Sequence, residues 1–399
     1  MQVLIADPLS PSTVEALREL GATVEVRPEL SAETLPAQMA AADVLVVRST
    51  KVTRAAIEAG RSLSLIVRAG AGVNTIDVAA ASERGIYVAN CPGKNAAAVA
   101  ELAIGLLVAC DRRIVDAAAE LREGRWGKKK YSEARGLHGR TLGILGLGTI
   151  GRAVAEAAQG LGMKVVAWGR SLTPELAAVL EVERAESPLE LARRADAISI
   201  HMAYSPGMKH FIGAEFLAAM RDGAILVNTA RGELIDSAAL VEAVRAKGLR
   251  VGLDVYENEP GGWDCEFPHV DLARLVTGTP HIGASTEQAA EAIAAETVRI
   301  VRLFRETGKP PAANTVNLCG RSPATHSLVV RHYNRVGVLA GVLDALREEG
   351  INVEEMENTI FEGAKAACCT LQLDTPPSRK LVTAIERHEA VVQVILQPR

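Results

Sequence analysis

The sequence predicts an α/β protein with two doubly wound parallel sheets, followed by a smaller βαββαβ unit. In the first ninety residues, short apolar runs such as "VLVV" and "LIVRAG" alternate with stretches of helical pattern. A second alternating series starts at "TLGILGLGTIG" and continues through "KVVAW", "AISIHM", "AILVNTA" and "RVGLDVY". Strands that alternate with helices indicate βαβ units and therefore a parallel sheet.

Two helical stretches and one linker divide the chain into parts. "NAAAVAELAIGLLVACDRRI" predicts one long buried helix before the second series, and "STEQAAEAIAAETVRIVRLFRET" predicts another after it. The Pro-, Asn- and Gly-rich segment "GKPPAANTVNLCGRSPATH" is typical of a linker. Beyond it, the order strand, helix, strand, strand, helix, strand is ferredoxin-like. We therefore predict a first lobe of residues 1–93 and 284–313, a second lobe of 94–283, a linker of 314–324 and a C-terminal domain of 325–399.

Composition argues against several classes of partner. The 399 residues carry a net charge of −4 without a basic block, which does not favour nucleic acid or an anionic membrane. The longest apolar run, "ELAIGLLVAC", is far below the roughly 18 residues that span a bilayer. The start lacks the pattern of a signal peptide, and the six cysteines show no metal or disulfide spacing. We expect a soluble cytoplasmic protein with no metal, nucleic acid or membrane partner.

A dinucleotide fingerprint opens the second series. In "LGILGLGTIGR", Gly146, Gly148 and Gly151 follow a strand and open a helix, as in the Rossmann GxGxxG motif. The first glycine allows the tight turn, the second admits a pyrophosphate, and the third lets the helix pack closely on the strand. A plain β–α turn is the alternative, but the strand "KVVAW" follows at the expected distance.

The acidic residue that usually binds the ribose is missing. It should stand about 20 residues further on, where the chain reads Trp168, Gly169, Arg170 and Ser171. No carboxylate repels a 2′-phosphate here, and Arg170 and Ser171 could bind one, so NADP is tolerated or preferred on this interpretation. On the other interpretation, Arg170 is a solvated loop residue and the cofactor is NAD.

Three side chains that could take part in catalysis directly follow strands of the second series. Doubly wound sheets bind their ligands at these carboxyl ends of the strands. They are Arg231 in "NTARGE", Glu259 in "GLDVYENEP" and His281 in "GTPHIGAST". Each alone has an ordinary explanation as an ion pair, a surface carboxylate or a turn histidine. Together, in this order and in these motifs, they resemble the D-2-hydroxyacid dehydrogenase superfamily, and the resemblance extends over essentially the whole chain.

The resemblance implies a hydride-transferring enzyme whose catalytic residues are Arg231, Glu259 and His281. Oxidation of a 2-hydroxy acid needs a base for the hydroxyl proton, a role suited to histidine near neutral pH. Glu259 would orient His281 and stabilise its protonated form, as the carboxylate of a triad does. Arg231 would bind the substrate carboxylate through a planar, two-pronged contact.

The resemblance also implies where cofactor and substrate bind. "VRSTKVT", "VRAGAGVNTID" and the C-terminal unit point to the branch of the family that oxidises 3-phospho-D-glycerate in serine biosynthesis. Its substrate residues would be Arg48, Ser49, Arg68, Ala71, Gly72, Val73 and Asn74. Its cofactor residues would be Gly146, Gly148, Thr149, Ile150, Gly151, Gly169, Arg170, Ser171, His201, Met202, Ala203, Thr229, Ala230, Arg231, Asp254, His281, Gly283 and Ala284.

The C-terminal unit resembles an ACT domain, which binds amino acids where two such domains pair. His332, Asn334 and Asn352 match the pattern that binds serine, although Val336 replaces the proline usual in the adjacent turn. A domain that only mediates assembly is the alternative, and a homodimer or homotetramer is expected. Two other functions stay open. One is an NADPH-dependent glyoxylate or hydroxypyruvate reductase. The other is a non-catalytic dinucleotide and amino-acid sensor, which would not need the base and its carboxylate partner.

Overall fold

The computed structural model describes residues 1–260, 265–320 and 322–399, which divide into two compact units, Met1–Asn317 and Leu318–Arg399. The boundary lies inside the linker predicted at 314–324, of which Arg321 is outside the described residues. The predicted fold class is confirmed: two parallel sheets with helices make up the first unit, and a small separate sheet makes up the second. The exact lobe bounds within the first unit stay predictions.

The first lobe is built on a parallel sheet of order β2-β1-β3-β4-β5. Its strands are β1 (Gln2–Ile5), β2 (Thr23–Val26), β3 (Val44–Val47), β4 (Leu65–Arg68) and β5 (Tyr87–Asn90), and its early helices are α1 (Pro11–Glu19), α2 (Arg54–Ala59) and α3 (Val78–Glu83). Alternate side chains point to opposite faces of a strand. Leu45 and Ile66 therefore pack towards α2 and α3, whereas Val46 and Val67 pack towards α1.

The second lobe contains a parallel sheet of order β12-β11-β10-β9-β6-β7-β8. The strands are β6 (Thr141–Leu145), β7 (Lys164–Trp168), β8 (Glu183–Arg184), β9 (Ala197–Ile200), β10 (Ile225–Asn228), β11 (Arg250–Leu253) and β12 (Thr277–Gly278). The helices are α4 (Ala96–Arg112), α5 (Ile114–Arg122), α6 (Thr149–Gly160), α7 (Pro174–Val179), α8 (Pro188–Arg194), α9 (Ala214–Ala219), α10 (Ser237–Lys247) and α11 (Val270–Ala273). The carboxyl ends of β6, β9, β10 and β11 consequently lie side by side along one edge.

The long helix predicted before this lobe, at residues 95–114, is present as α4, and its end differs by two residues. Arg113 adopts a left-handed backbone with φ of 53°, which ends α4 and starts α5 in a new direction. Helix α4 buries much of its surface, whereas α5 has no buried residue among those described. Ile114, Val115 and Leu121 stay exposed, as does Trp126 at 81%. Helix α5 was not predicted; it follows α4 directly and leaves its large apolar side chains exposed.

The C-terminal unit has the predicted ferredoxin-like topology, with an antiparallel sheet of order β14-β15-β13-β16. Its elements are β13 (His326–Tyr333), α13 (Val338–Glu348), β14 (Val353–Ile360), β15 (Ala366–Leu373), α14 (Arg379–Glu386) and β16 (Val391–Pro398). Leu328 and Val330 pack with Leu371 under the two helices, in a core separate from those of the first unit. No helix in the described ranges is long and apolar enough to cross a membrane.

A buried polar cluster anchors α12 (Glu287–Thr307), the helix that returns the chain to the first lobe. Glu296 is 7% exposed, and its Oε1 accepts hydrogen bonds from Arg299 Nη2 at 2.7 Å and Asn314 Nδ2 at 2.8 Å. Lys94 Nζ lies 3.4 Å from Glu296 Oε2. Asn314 Nδ2 also donates to the carbonyl of Asn90 at 2.9 Å. Since Lys94 lies where the chain first leaves this lobe, the cluster joins both connections between the lobes.

The charge of Glu296 predicts a pH-dependent contribution to stability. The Arg299 hydrogen bond, supported by Asn314 and Lys94 and opposed by burial, lowers the pKa of Glu296 from 4.5 to about 2. As pH falls, Glu296 is protonated in the unfolded chain before it is protonated in the folded protein. Its contribution to the free energy of unfolding is therefore complete above about pH 4.5 and is lost as pH falls towards 2. We expect the free energy of unfolding of Glu296→Gln, measured in urea, to fall less than that of the wild type between pH 6 and pH 4. Glu291→Gln, exposed on the same helix, should follow the wild type; identical pH dependence in both variants would contradict the assignment.

Candidate active site

Glycines shape the loop between β6 and α6 for a dinucleotide. Gly146 has φ of 95°, and a Cβ there would lie 2.7 Å from the carbonyl oxygen of His201. A Cβ on Gly151 would lie 2.1 Å from the carbonyl oxygen of Gly146. Gly148 caps α6 without any side-chain hydrogen bond, and no atom lies within 4 Å of the position of its Cβ. The N–H groups of Thr149, Ile150 and Gly151 donate to no described residue, and such a free helix N-terminus suits a pyrophosphate.

The other predicted cofactor segments lie beside this loop. Gly146 N–H donates to the carbonyl of Trp168 at 2.8 Å, next to Gly169, and His201 N–H donates to the carbonyl of Leu145 at 2.7 Å. Arg170 and Ser171 are exposed. Burial lowers the pKa of His201 to about 3, so its ring stays neutral. In the described part of the chain, His201 Nδ1 and Thr229 Oγ1 are buried without a hydrogen-bond partner. The open helix terminus and these polar atoms fit a nicotinamide dinucleotide.

Glu259 and His281 form a hydrogen-bonded pair at the opening of the cleft. His281 Nδ1 lies 2.7 Å from Glu259 Oε2, and the other carboxylate oxygen accepts the Tyr256 N–H at 2.9 Å. Burial raises the pKa of Glu259, but the hydrogen bond and charge of His281, Tyr256 N–H and the charge of Arg231 bring it below its ordinary value. A carboxylate at Nδ1 requires the proton on that nitrogen, which leaves Nε2 as an acceptor. This arrangement is what a general base needs.

Asp254 builds the loop that carries His281. Its carboxylate is 1% exposed and accepts hydrogen bonds from Thr279 Oγ1 at 2.7 Å, Ile282 N at 2.8 Å and Gly283 N at 2.9 Å. Its main-chain carbonyl accepts the His281 N–H at 2.8 Å. His281 itself has a left-handed backbone with φ of 51°. The predicted contact of Asp254 with the nicotinamide stays a prediction; its role in shaping the loop was missed in the sequence.

Arg231 lies on the loop that follows β10, and a buried asparagine side chain holds the backbone of this loop. The fully buried Asn228 donates from Nδ2 to the carbonyl of Arg231 at 2.8 Å and accepts the Ala230 N–H at 3.0 Å. A Cβ on Gly232 would lie 1.9 Å from the carbonyl carbon of Tyr256. Only glycine permits this approach, which brings Arg231 beside the loop that carries Glu259. Asn228 was not predicted, although its place in "VNTARG" marks a buried polar residue at a strand end.

The first lobe brings two more arginines towards Arg231. Burial, followed by the charges of Arg231 and Arg48, lowers the pKa of Arg68 to about 10, so the guanidinium stays protonated at neutral pH. In the described residues, Arg68 Nε is buried without a hydrogen-bond partner. The Arg48 loop is held by Asp7, another residue missed in the sequence, which accepts the Arg48 N–H at 2.6 Å. The three positive charges repel one another, and a bound anion would relieve that repulsion.

The predicted substrate loop after β4 meets Arg231 across the cleft. Asn74 Oδ1 lies 3.5 Å from Arg231 Nη2, and a Cβ on Gly72 would lie 2.3 Å from the same nitrogen. Ser49 is exposed, and Ala71 and Val73 are partly exposed. The structure thus places Arg48, Arg68 and the loop 71–74 around one cleft with the predicted catalytic set.

The three predicted effector residues do not meet within one chain. His332 is 2% exposed, its Nδ1 lies 2.8 Å from the Tyr333 carbonyl, and its Nε2 is buried without a partner among the described residues. Asn334 Nδ2 donates to the Ala364 carbonyl at 3.1 Å. In the sheet register, His332 pairs with Ala367, whereas Asn352 precedes the start of β14, at the opposite end. A site containing all three would need two copies of the chain.

The fold and this cleft define the class of protein. Residues 104–283 match the family model described as "D-isomer specific 2-hydroxyacid dehydrogenase, NAD binding domain". The chain is also 42% identical over 312 residues to a hydroxypyruvate reductase of Thermotoga maritima, covering 77% of this chain and 98% of that protein. The chain belongs to the D-isomer-specific 2-hydroxyacid dehydrogenases, a family of NAD-dependent oxidoreductases.

Other relatives carry more specific names. The chain is 43% identical over 320 residues to a D-3-phosphoglycerate dehydrogenase of Methanocaldococcus jannaschii, a match that covers 80% of this chain but only 60% of that protein. It is also similar to the NAD⁺-bound 3-phosphoglycerate dehydrogenase of Entamoeba histolytica, with a TM-score of 0.66 and 28% identity over 80% of this chain and 99% of the other. These names describe the relatives.

The Glu259–His281 pair predicts a defined loss on substitution. In Glu259→Gln, the amide no longer fixes the proton on Nδ1 and no longer stabilises the imidazolium. We expect kcat/KM for the dehydrogenase reaction to fall by about 100-fold or more. Glu257→Gln is a matched control, since Glu257 holds His210 at 2.8 Å in a separate Glu–His pair. Equal losses in both variants would refute the role of Glu259.

Proposed function

We propose that this protein oxidises 3-phospho-D-glycerate to 3-phosphohydroxypyruvate with a nicotinamide cofactor, the first step of L-serine biosynthesis. The observation that carries the proposal is the cluster of Arg48, Arg68 and Arg231, which offers more positive charge than a single carboxylate requires. The names of the M. jannaschii and E. histolytica relatives support it. A cytoplasmic location follows from this metabolic role and belongs to the same proposal.

The side chains of the cleft have separate roles in substrate binding and proton transfer. Arg231 and the loop 71–74 bind the substrate carboxylate and turn the hydroxyl-bearing carbon towards the nicotinamide. His281 accepts the hydroxyl proton at Nε2, and Glu259 stabilises the resulting imidazolium through Nδ1. The nicotinamide ring, when bound, accepts the hydride. Arg68 and Arg48 bind the phosphate at the far end of the substrate.

One observation favours a second candidate with the same chemistry. The T. maritima hydroxypyruvate reductase matches over 98% of its length, and Arg170 and Ser171 are exposed beside Gly169 without an acidic neighbour in sequence. An NADPH-dependent glyoxylate or hydroxypyruvate reductase would use the same His281 and Glu259 and would not need Arg48. A non-catalytic sensor is disfavoured, because a sensor has no use for a hydrogen-bonded base.

The deciding experiment follows absorbance of reduced nicotinamide at mildly alkaline pH, with 3-phosphoglycerate and either NAD or NADP. Phosphohydroxypyruvate, hydroxypyruvate and glyoxylate are offered in the reverse direction. We expect turnover of the phosphorylated pair, and replacement of Arg48 and Arg68 by Gln should raise its KM by about 10-fold or more. The ratio of rates with NAD and NADP reports on Arg170. Reduction of hydroxypyruvate or glyoxylate alone would replace the proposal with the reductase, and an unchanged KM in the double variant would overturn the phosphate assignment.

We also infer that the C-terminal unit is an ACT domain that binds L-serine in a homodimer or homotetramer. The buried, unpartnered Nε2 of His332 and the position of Asn352 at the opposite end of the sheet support a site shared by two copies. The exposed apolar side chains of Ile114, Val115 and Trp126 support a second contact between copies in the first unit.

Titration calorimetry of L-serine into the full chain tests this inference. We expect saturable heat for the wild type and none for Asn334→Ala, because the amide of Asn334 would contact the amino acid. Asn358→Ala, an exposed asparagine on β14, serves as the control and should bind as the wild type does. No heat from the wild type would leave the domain with a role in assembly alone.

A further inference from the structure

The backbone of the substrate loop is oriented by the end of β5. The carbonyl of Gly70 accepts the Cys91 N–H at 2.9 Å, and the carbonyl of Ala71 accepts a hydrogen bond from Asn90 Nδ2. In a trans peptide the C=O and the N–H of the same plane point in opposite directions. The N–H groups of Ala71 and Gly72 therefore point away from β5.

These two N–H groups are left available. Neither donates a hydrogen bond to any described residue, and Gly72 lies directly against Arg231. Consecutive N–H groups on one side of a loop form a concavity for an anion. The bonds to the two carbonyls thus determine which side of the loop is electropositive, and only one of them comes from a side chain, that of Asn90.

Asn90 is in turn held by the buried cluster around Glu296. Its side chain is 9% exposed, and its main-chain carbonyl accepts Asn314 Nδ2 at 2.9 Å. Asn314 is 3% exposed, donates to Glu296 and accepts Arg299 Nη2 at 2.7 Å. A continuous chain of hydrogen bonds therefore runs from the carboxylate on α12 to the loop that faces Arg231.

We propose that Asn90 is a positioning residue for the carboxylate of the substrate, and that Glu296 acts through it. Asn90 holds the Ala71–Gly72 peptide so that the Gly72 N–H binds the anion beside Arg231 and the Ala71 N–H, whose peptide the Cys91 N–H holds. Without that bond the peptide is free to rotate and present its carbonyl oxygen, which repels a carboxylate. The proposal deepens the proposed function, since it rests on the loop being the substrate loop.

The test measures binding of oxalate, which carries the adjacent carboxylate and oxygen common to all 2-hydroxy and 2-oxo acids. Calorimetry of oxalate into the full chain saturated with NADH gives its Kd for the wild type and for Asn90→Ala. Loss of the hydrogen bond that orients the Gly72 N–H, one of the two donors, should weaken oxalate binding by about 10-fold. The Kd of NADH should stay within about 2-fold, because the loop follows β4 in the first lobe and the cofactor fingerprint lies between β6 and α6 in the second.

Asn317→Ala is the matched control. Asn317 also bridges the backbone of β5, accepting the Val88 N–H at 2.9 Å and donating to the Ile86 carbonyl at 2.8 Å, but it lies towards the other end of the strand. A purely structural role for Asn90 predicts the same loss of thermal stability and the same oxalate Kd in both variants. The positioning role predicts weaker oxalate binding in Asn90→Ala alone.

Glu296→Gln decides the matter if Asn90→Ala does not fold. The variant keeps an acceptor for Asn314 but loses the charge that holds Arg299 and Lys94, so oxalate should weaken by about 3-fold. An unchanged oxalate Kd in the folded variants, equal weakening in Asn317→Ala, or no oxalate binding by the wild type would each overturn the proposal. Failure of 3-phosphoglycerate turnover would overturn only the proposed substrate, because oxalate binding does not depend on the phosphate.

Discussion

The candidate active site depends on the hydrogen bonds that the buried carboxylate of Asp254 accepts from the loop that carries His281. Asp254 binds three groups of the loop 279–283, while its own carbonyl holds the His281 N–H. A left-handed backbone is uncommon for a non-glycine residue and persists only where its surroundings enforce it. Those four hydrogen bonds supply that enforcement at His281. The imidazole is therefore directed to Glu259 by the end of β11, before any ligand binds.

Preorganisation of this kind is repeated around the cleft. Asn228 holds the Arg231 loop, Asp7 holds the Arg48 loop, and Asn90 holds the Ala71 peptide. In each case a polar side chain near the carboxyl end of a parallel strand binds the backbone of a loop that carries a predicted functional group. The charged groups that face the cleft thus rest on buried polar groups that do not face it. Removing a supporting residue should alter geometry without altering the charge in the cleft.

Most of the fold could be predicted from the sequence because its signals are local. Apolar runs, the glycine fingerprint and the linker composition each depend on a few neighbouring residues, and all the longer strands and the ferredoxin-like order are present. The two-residue strands β8 and β12 could not be predicted, since they contain too few residues to show a period. The left-handed break at Arg113 escaped because a left-handed residue is usually marked by glycine or asparagine, and arginine gives no such signal.

The sequence predicted the charged residues of the candidate site, but not the buried polar residues that hold their loops in place. Arg231, Glu259 and His281 stand in recognisable motifs, and the structure brings Glu259 and His281 together. Asn90 and Glu296 are separated by more than two hundred positions, so nothing local connects them. Asp7 looks like any acid that follows a strand. The distance of 2.6 Å between its carboxylate and the Arg48 N–H exists only once β1 and β3 are paired.

The glycines around the guanidinium groups have a consequence for engineering. A Cβ on Gly70 would lie 1.6 Å from Arg68 Nη1. A Cβ on Gly72 would collide with the Arg231 side chain, and a Cβ on Gly232 would collide with the Tyr256 backbone. A side chain at any of these glycines would therefore displace a guanidinium group or the Tyr256 backbone, and replacement there offers no graded way to reshape the site. Attempts to redirect the enzyme towards other acids should start at the exposed rim, at Ser49 and Asn74. There a side chain can change size without displacing backbone.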